Sequence, residues 1–178
     1  MTFDDGPVPE VTPWVLSVLA DFKARATFFV VGENVKKHPE VFRRIVEQGH
    51  SIGNHTYNHL KGWKTGDKGY LENCRKCAEV LNQEGGLFRP PYGRMRKSQI
   101  KEVLKMYEKI VMWDVLSYDF DKLLSPEVCL KKVLRKSREG SIVVFHDSIK
   151  AKDNLEFVLP RFLEAFSNKE FVFEPLSV

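Results

Sequence analysis

Short apolar runs alternate with amphipathic helical segments along almost the whole chain. The runs ATFFVV at 26–31 and SIVVFH at 141–146 are rich in β-branched and aromatic residues, which is typical of buried parallel strands. Between such runs, apolar residues recur every three or four positions, as on one face of a helix. This alternation constrains the fold most strongly, because parallel strands must be joined by long crossovers, which are usually helical. It predicts an α/β fold with a parallel sheet.

Seven strands and six helices follow from this pattern. Ser125 and Pro126, for example, pair a helix cap with a first-turn proline. The predicted strands lie at 1–3, 26–31, 51–54, 87–89, 109–115, 141–146 and 171–173, and the predicted helices at 11–22, 40–48, 71–82, 98–108, 125–140 and 155–166. With 43% hydrophobic residues, the chain can bury one sizeable core. We therefore expect one domain over residues 1–178, whose first strand is the end of a longer one.

The polar residues that could do chemistry follow the C-terminal ends of the predicted strands. In a parallel barrel all these ends converge on one face, whereas an open doubly wound sheet gathers only those near its switch point. We therefore favour a barrel over an open sheet. The residues concerned are Asp4, Asp5, His55, His59, Arg89, Tyr92, Asp114, Asp119 and His146.

Composition and charge argue against several classes of protein. The formal net charge is +4, but 28 basic residues are dispersed among 24 acidic ones, so charge alone does not indicate nucleic-acid binding. The basic run at 131–138 falls on a helical pattern and is interpreted as a solvated face. Cys74 and Cys77 lack a second cysteine pair to complete a zinc site, and we expect them to pack in a helix. No signal peptide and no apolar stretch of about 18 residues, which a membrane span needs, occurs in the sequence.

Two histidines four residues apart suggest a metal site. In the segment HTYNH at 55–59, one helical turn would point both imidazoles the same way. Together with one carboxylate of the Asp4–Asp5 pair they would leave positions open for water and substrate, as a catalytic divalent site requires. One aspartate would bind the ion, and the other would accept a proton from water. The alternatives are two surface histidines and an Asp that stabilises the turn before Gly6.

Arg89 and His146 are further candidates. Arg89 begins a proline-stiffened loop, where it could pair with a nearby carboxylate and hold it charged, or be a solvent-exposed side chain. His146 ends an apolar strand, where it is either structural or a titratable group tuned by Asp114 or Asp119. Trp63, just after the second histidine of the pair, either borders a sugar subsite with the loop at 61–69 or is a packing anchor.

Five segments in order resemble the five motifs of the polysaccharide deacetylases, the carbohydrate esterase family 4 enzymes with a NodB homology domain. They are TFDDGP at 2–7, HTYNH at 55–59, RPPYG at 89–93, the stretch 113–119 that begins with Trp-Asp, and IVVFHD at 142–147. The resemblance spans nearly the whole chain, and the ordered set is far more specific than any one motif. It implies a distorted (β/α) barrel, incomplete with about seven parallel strands. It also implies removal of acetyl groups from N-acetylglucosamine in peptidoglycan, chitin or related glycans.

The resemblance also implies a role for each motif residue. Asp4 would be the general base and His146 the acid, while Asp5, His55 and His59 would bind a divalent metal, with zinc favoured over cobalt, nickel or manganese. In addition, Arg89 would orient the base, Asp119 would tune the acid, and the backbone N–H of Tyr92 would help to hold the oxyanion. The implied partner is an acetylated polysaccharide, and the implied location is the cell envelope or another extracytoplasmic site.

Three positions differ from the usual family pattern. Leu116 and Phe120 stand where many members have Asp and Trp, and Val144 stands where many have a Leu that lines the acetyl pocket. These changes bear on the substrate more than on activity. The alternatives are an O-acetyl-xylan esterase of the same family, a non-catalytic carbohydrate-binding domain, and a non-haem iron oxygenase that uses two His and one carboxylate. The oxygenase needs neither a second aspartate nor a separate acid.

Overall fold

The computed structural model describes residues 1–83 and 85–177, and in this part it contains seven strands and seven α-helices. The strands are β1 (Thr2–Asp4), β2 (Thr27–Val30), β3 (Ser51–Asn54), β4 (Leu87–Phe88), β5 (Lys109–Ile110), β6 (Val115–Leu116) and β7 (Val143–His146). The helices are α1 (Thr12–Asp21), α2 (Gly32–Lys37), α3 (Pro39–Glu47), α4 (Asp67–Leu81), α5 (Lys97–Val103), α6 (Pro126–Lys136) and α7 (Lys152–Ser167). None of these helices combines the length and apolar character that a membrane crossing requires.

The strands form one parallel sheet in the order β5-β4-β3-β2-β1-β7-β6. Strands β5 and β6 end the sheet and do not pair with each other within the described residues. The sheet therefore curls into an incomplete barrel, which confirms the predicted fold class. Leu176 closes part of the opening, since it packs in an apolar cluster with Phe29, Leu87, Val111 and Ile142.

Two strand predictions were wrong. The segment 109–115 was predicted as one strand, but it divides into β5 and β6, because the carbonyls of Val111 and Met112 accept hydrogen bonds from the Arg89 side chain instead of from a neighbouring strand. The segment 171–173 is not a strand. Phe171 and Phe173 are partly buried by packing on α7, with the Phe171 ring on Phe166 and the Phe173 ring on Phe162, whereas Val172 is exposed.

The strand register aligns the core and thereby the site. Phe3 of β1 pairs in register with Phe28 of β2 and Phe145 of β7, and its ring centroid lies 5.0 and 5.9 Å from theirs. All three side chains are fully buried against the apolar faces of α1 and α7, and burial of each contributes about 1.5–3 kcal/mol. One residue further along, Asp4 pairs in register with His146. Core packing thus places two polar residues side by side at the C-terminal ends of adjacent strands.

Cysteine side chains belong to the interior. Cys74 and Cys77 lie in α4 and are fully buried, as is Cys129 in α6. Burial raises the pKa of the Cys74 and Cys77 thiols to about 12, so they remain neutral. These cysteines act as small apolar packing residues.

Candidate metal and catalytic site

The two adjacent aspartates at the end of β1 differ in backbone conformation and burial. Asp4 ends the strand and is almost fully buried, whereas Asp5 has a φ of 83° and a side chain that is 29% exposed. Asn34 of α2 donates a hydrogen bond of 2.8 Å from its side chain to the Asp5 carbonyl and so holds this turn. A non-glycine residue in the left-handed region is uncommon, although Asp tolerates it better than most. The turn lets both carboxylates face one side, since Asp4 Oδ2 and Asp5 Oδ1 lie 4.0 and 3.7 Å from His55 Nε2, whereas successive side chains of a regular strand point to opposite faces.

The histidine pair does not lie on a helix, contrary to the prediction. Thr56 and His59 both have positive φ angles, 67° and 58°, so the chain reverses locally after β3. The side chain of Asn54 accepts a hydrogen bond from the Thr56 N–H at 2.8 Å, and Thr56 Oγ1 accepts one from the Leu60 N–H. This loop brings the rings of His55 and His59 to 5.1 Å between centroids. The two imidazoles therefore converge by a route that helical periodicity does not describe.

Asp5, His55 and His59 form a possible metal site. Asp5 Oδ1 lies 3.1 Å from His59 Nε2 and 3.7 Å from His55 Nε2, and one ligand atom from each residue lies within 4.8 Å of the others. His55 Nδ1 donates to the Arg89 carbonyl at 2.8 Å, which leaves the Nε2 lone pair facing Asp5. Such a hydrogen bond commonly fixes the tautomer of a metal-binding histidine.

The electrostatics of these three residues suit a cation. Burial lowers the pKa of His55 to about 4, so its imidazole is neutral at physiological pH. Burial opposes ionisation of Asp5, but the hydrogen bond with His59 and the nearby imidazole charges hold its pKa well below the usual range. Imidazole nitrogens together with an ionised carboxylate are donors that a divalent transition metal prefers. The residues present therefore fit such an ion.

The buried Arg89 guanidinium forms an ion pair with the Asp4 carboxylate. The Arg89 side chain has no exposed surface, and Nη1 donates to Asp4 Oδ1 at 2.6 Å and to Thr2 Oγ1 at 2.8 Å. The other guanidinium nitrogens donate to the carbonyls of Val111 and Met112 at 3.2 and 3.3 Å. With Oδ1 occupied, Asp4 presents Oδ2 to the metal site, 4.0 Å from the His55 imidazole. The arrangement orients one free carboxylate oxygen.

His146 is paired with a buried carboxylate. His146 Nδ1 lies 2.7 Å from Asp119 Oδ1, and its backbone N–H donates to Asp119 Oδ2 at 2.8 Å. Although burial disfavours the charged ring, Asp119 outweighs it and raises the pKa of His146 to about 9. Asp114, the other candidate partner, instead accepts the Ile142 N–H at 2.8 Å. Of the two aspartates, only Asp119 lies beside the imidazole.

Tyr92 and Phe120 border the site on different sides. Tyr92 lies in a 3₁₀ turn (Pro91–Gly93) with a φ of 60°, and its ring centroid is 4.6 Å from that of His59. The Phe120 ring meets His146 edge to face at 4.9 Å. Val144 is fully buried and pairs in register with the half-buried Leu116. Two of the positions that differ from the family pattern thus pack together on neighbouring strands.

Asp147 has a place in the site to which the sequence pattern assigned no role. Its carboxylate accepts hydrogen bonds from the Gly6 N–H at 3.1 Å and from Thr12 Oγ1 at 2.7 Å, while its own N–H donates to the Asp4 carbonyl. A Cβ at Gly6 would overlap this carboxylate, so only glycine fits there. The His-Asp dipeptide at the end of β7 was the available signal, but the contact spans 141 residues of sequence.

Comparisons with known proteins agree on one family. A sequence model described as Polysaccharide deacetylase matches residues 1–109. A peptidoglycan-N-acetylglucosamine deacetylase of Bacillus cereus is 38% identical over 152 residues, which cover 83% of this chain and 55% of that protein, so the chain spans just over half of its length. A second protein of that name from Bacillus cereus is 33% identical over 183 residues, which cover 99% of this chain and 85% of the relative. Among solved structures, the Bc1960 peptidoglycan N-acetylglucosamine deacetylase in complex with 4-naphthalen-1-yl-N-oxidanyl-benzamide has a TM-score of 0.85 at 33% identity, covering 98% of this chain and 84% of that one.

Proposed function

This chain belongs to the polysaccharide deacetylase family, and we propose that it is a metal-dependent hydrolase that removes N-acetyl groups from N-acetylglucosamine residues of a glycan. Peptidoglycan is the leading substrate, because both relatives from Bacillus cereus are named for it. The observation that carries the proposal is the position of Asp4 and His146. They are register partners on adjacent strands beside the possible metal site, where one can accept and the other can donate a proton.

A divalent cation, for which we favour zinc over cobalt, nickel or manganese, would be held by Asp5, His55 and His59. When bound, it would polarise the acetyl carbonyl and lower the pKa of a water molecule. The neutral state of His55 and the low pKa of Asp5 support this role, since both residues are ready to bind without losing a proton.

Asp4 is proposed as the general base. The ion pair with Arg89 fixes the plane of this carboxylate, and Oδ2 faces the metal site, where it would accept a proton from the water that attacks the acetyl carbon. The attack produces a tetrahedral oxyanion. The backbone N–H of Tyr92 is proposed to donate a hydrogen bond to it, and a single such donor is typically worth about 3 kcal/mol.

His146 is proposed as the general acid. Breaking the C–N bond expels the sugar amine, which is a very poor leaving group unless its nitrogen is protonated. Asp119 occupies Nδ1 and favours the imidazolium, so Nε2–H is the proton available to the amine. General acid catalysis of this kind is commonly worth about 10²- to 10⁴-fold. Acetate and the free amino sugar are the products.

The test combines metal analysis with acetate release. We expect purified wild-type protein to contain a divalent metal and to release acetate from peptidoglycan or chitooligosaccharides. Acetylxylan serves as a further substrate that tests the alternative of an O-acetyl esterase. The Asp4→Asn variant should keep the metal and lose nearly all activity, because asparagine is isosteric but cannot accept the proton. Asp114→Asn is the matched control and should stay active, because the exposed Asp114 carboxylate accepts a hydrogen bond from the Ile142 N–H. Failure of wild type to release acetate from any substrate, or full activity of Asp4→Asn, would contradict the proposal.

A further inference from the structure

Exposed aromatic and cationic side chains extend away from the possible metal site along one side. We call Lys61, Trp63, Tyr92 and Arg94 the cationic ledge. The Tyr92 ring begins it next to His59, with Lys61 Nζ 4.5 Å from the centre of that ring. The Arg94 guanidinium lies 5.1 Å from the centre of the Trp63 ring. Each aromatic face thus carries one cation, in the geometry of a cation–π pair.

The cationic ledge is held in place by hydrogen bonds between two loops. The Trp63 indole N–H donates to the Met95 carbonyl at 3.0 Å, and Arg96 donates to the Trp63 carbonyl at 3.1 Å. Gln99, which is fully buried, donates from its side chain to the Gly62 carbonyl at 3.0 Å. The loop after the histidines is therefore fixed against the loop after Tyr92. A binding surface fixed in this way costs little conformational entropy on binding.

Burial does not explain why these rings are present. Trp63 is 58% exposed and Tyr92 is 51% exposed, although both are oriented by neighbouring groups. A packing anchor would hide its ring, whereas both of these side chains keep more than half of their surface exposed beside the site. Aromatic side chains with a few fixed polar groups are typical of the lining of a ligand site.

The cationic ledge also carries uncompensated positive charge. Residues 61–69 and 94–97 contain six basic residues and one acidic residue, Asp67, which pairs with Arg96 at 3.7 Å. Among residues 1–83 and 85–177, neither Lys61 nor Arg94 forms an ion pair with a carboxylate. A polymer made only of neutral N-acetylglucosamine offers these two cations hydroxyl and carbonyl acceptors but no anionic partner. A carboxylate on the neighbouring sugar would gain a charge-assisted hydrogen bond.

We propose that the cationic ledge is a subsite for a sugar residue that bears a carboxylate, next to the sugar that loses its acetyl group. This inference rests on the proposed function, since it names the substrate class of the same site. Trp63 and Tyr92 would contact the apolar faces of the sugar, and Lys61 and Arg94 would bind the carboxylate. That carboxylate is either the lactyl group of a muramic acid that carries no peptide, since an attached peptide turns this group into a neutral amide, or the acid group of a uronic acid. In either case the protein should prefer an anionic glycan to a neutral one.

The test measures kcat/KM for acetate release from two tetrasaccharides, chitotetraose and an alternating N-acetylglucosamine–N-acetylmuramic acid oligomer. The double variant Lys61→Gln/Arg94→Gln should lower the preference for the anionic oligomer at least about tenfold, mainly through KM, since the loss of even one charge-assisted contact would have that effect. Lys131→Gln/Arg135→Gln on α6 removes the same net charge from an exposed face and should keep the preference. A muramic acid oligomer whose carboxylate is amidated should lose its advantage with wild type, and an acetylated uronic acid oligomer distinguishes the two sources of the acid.

Binding of the oligomers is measured separately from turnover. In metal-loaded Asp4→Asn protein, the anionic oligomer should shift the indole N–H signal of Trp63 in an NMR titration, and the amidated oligomer should shift it far less. Equal shifts with both oligomers, or the same loss of preference in the α6 variant, would overturn the subsite. If no glycan yields acetate but the anionic oligomer still shifts the Trp63 signal selectively, the proposed function fails and the subsite stands.

Discussion

Replacing Asp119 by asparagine is expected to remove the charge that keeps His146 protonated. Asp119 has no exposed surface, and its oxygens lie 2.7 Å from His146 Nδ1 and 2.8 Å from the His146 backbone nitrogen. Asparagine preserves the size of the side chain and can still accept the backbone N–H, but it carries no negative charge. Burial of the imidazole, which disfavours the cation, then acts with much less opposition.

The magnitude follows from the pKa of His146. The rise from 6.5 to about 9 corresponds to roughly 3 kcal/mol in favour of the imidazolium. At about pH 7.5, a pKa of about 9 leaves about 97% of the ring protonated, whereas a pKa of 6.5 leaves only about 9%. We therefore expect the variant to lose at least about tenfold in kcat at that pH from protonation alone. The basic limb of its pH–rate profile should move from near 9 towards 6.5.

The His146–Asp119 pair also makes the free energy of unfolding depend on pH. Because the folded-state pKa of His146 is raised above its ordinary value, the stabilisation is complete below pH 6.5 and is lost as the pH rises through about 9. Urea denaturation of wild type and Asp119→Asn should therefore differ most at acidic to neutral pH, and the difference should shrink above pH 9.

Two measurements check this reasoning on metal-loaded protein. Acetate release from an N-acetylglucosamine oligomer over a range of pH gives the basic limb, and an NMR titration of the His146 ring gives its pKa directly. Asp114→Asn is the matched control and should leave both unchanged, since the exposed Asp114 side chain accepts the Ile142 N–H and does not pair with His146. A variant whose His146 titrates as in wild type, or whose basic limb stays in place, would refute the assignment of Asp119 as the tuning carboxylate.

Three further predictions concern the remaining groups. Arg89→Met should lower the free energy of unfolding by about 3–5 kcal/mol in urea titrations, because it leaves the buried Asp4 carboxylate without its cation; an unchanged midpoint would contradict this. His59→Ala should reduce the bound metal measured by elemental analysis, with little change in the melting temperature of the metal-free protein, and full metal occupancy would count against His59 as a ligand. Gly6→Ala should cut activity strongly, because a Cβ would displace the Asp147 carboxylate that holds the turn beside the aspartates; wild-type kcat would show that this turn tolerates the shift.

Much of the fold could be predicted because the signals are local. Alternating apolar runs and amphipathic segments identify buried strands and crossover helices, and this pattern predicted the parallel α/β architecture. The errors occurred where a side chain or a distant segment satisfied the backbone. The predicted strand at 109–115 is interrupted where Arg89 takes two carbonyls, and the apolar segment at 171–173 packs on α7 instead of pairing.

The candidate site was likewise predicted in part by local sequence signals and in part missed by them. Residue types at strand ends were enough to name Asp4, Asp5, His55 and His59 as candidates, and the loop that joins the two histidines was wrongly expected to be helical. Positive φ angles at such loops are stabilised by side-chain hydrogen bonds such as the one from Thr56 N–H to Asn54, and no periodic pattern records them.

The sequence by itself therefore determined the chemistry that is available: which carboxylates, imidazoles and guanidinium exist and that they lie at strand ends. Only the tertiary structure decided which groups meet. Asp4 and Arg89 are 85 residues apart, and Gly6 and Asp147 are 141 apart, yet each pair forms a buried hydrogen bond. Such contacts depend on sheet order and strand register, which are set by the packing of the whole core and not by the propensities of either segment.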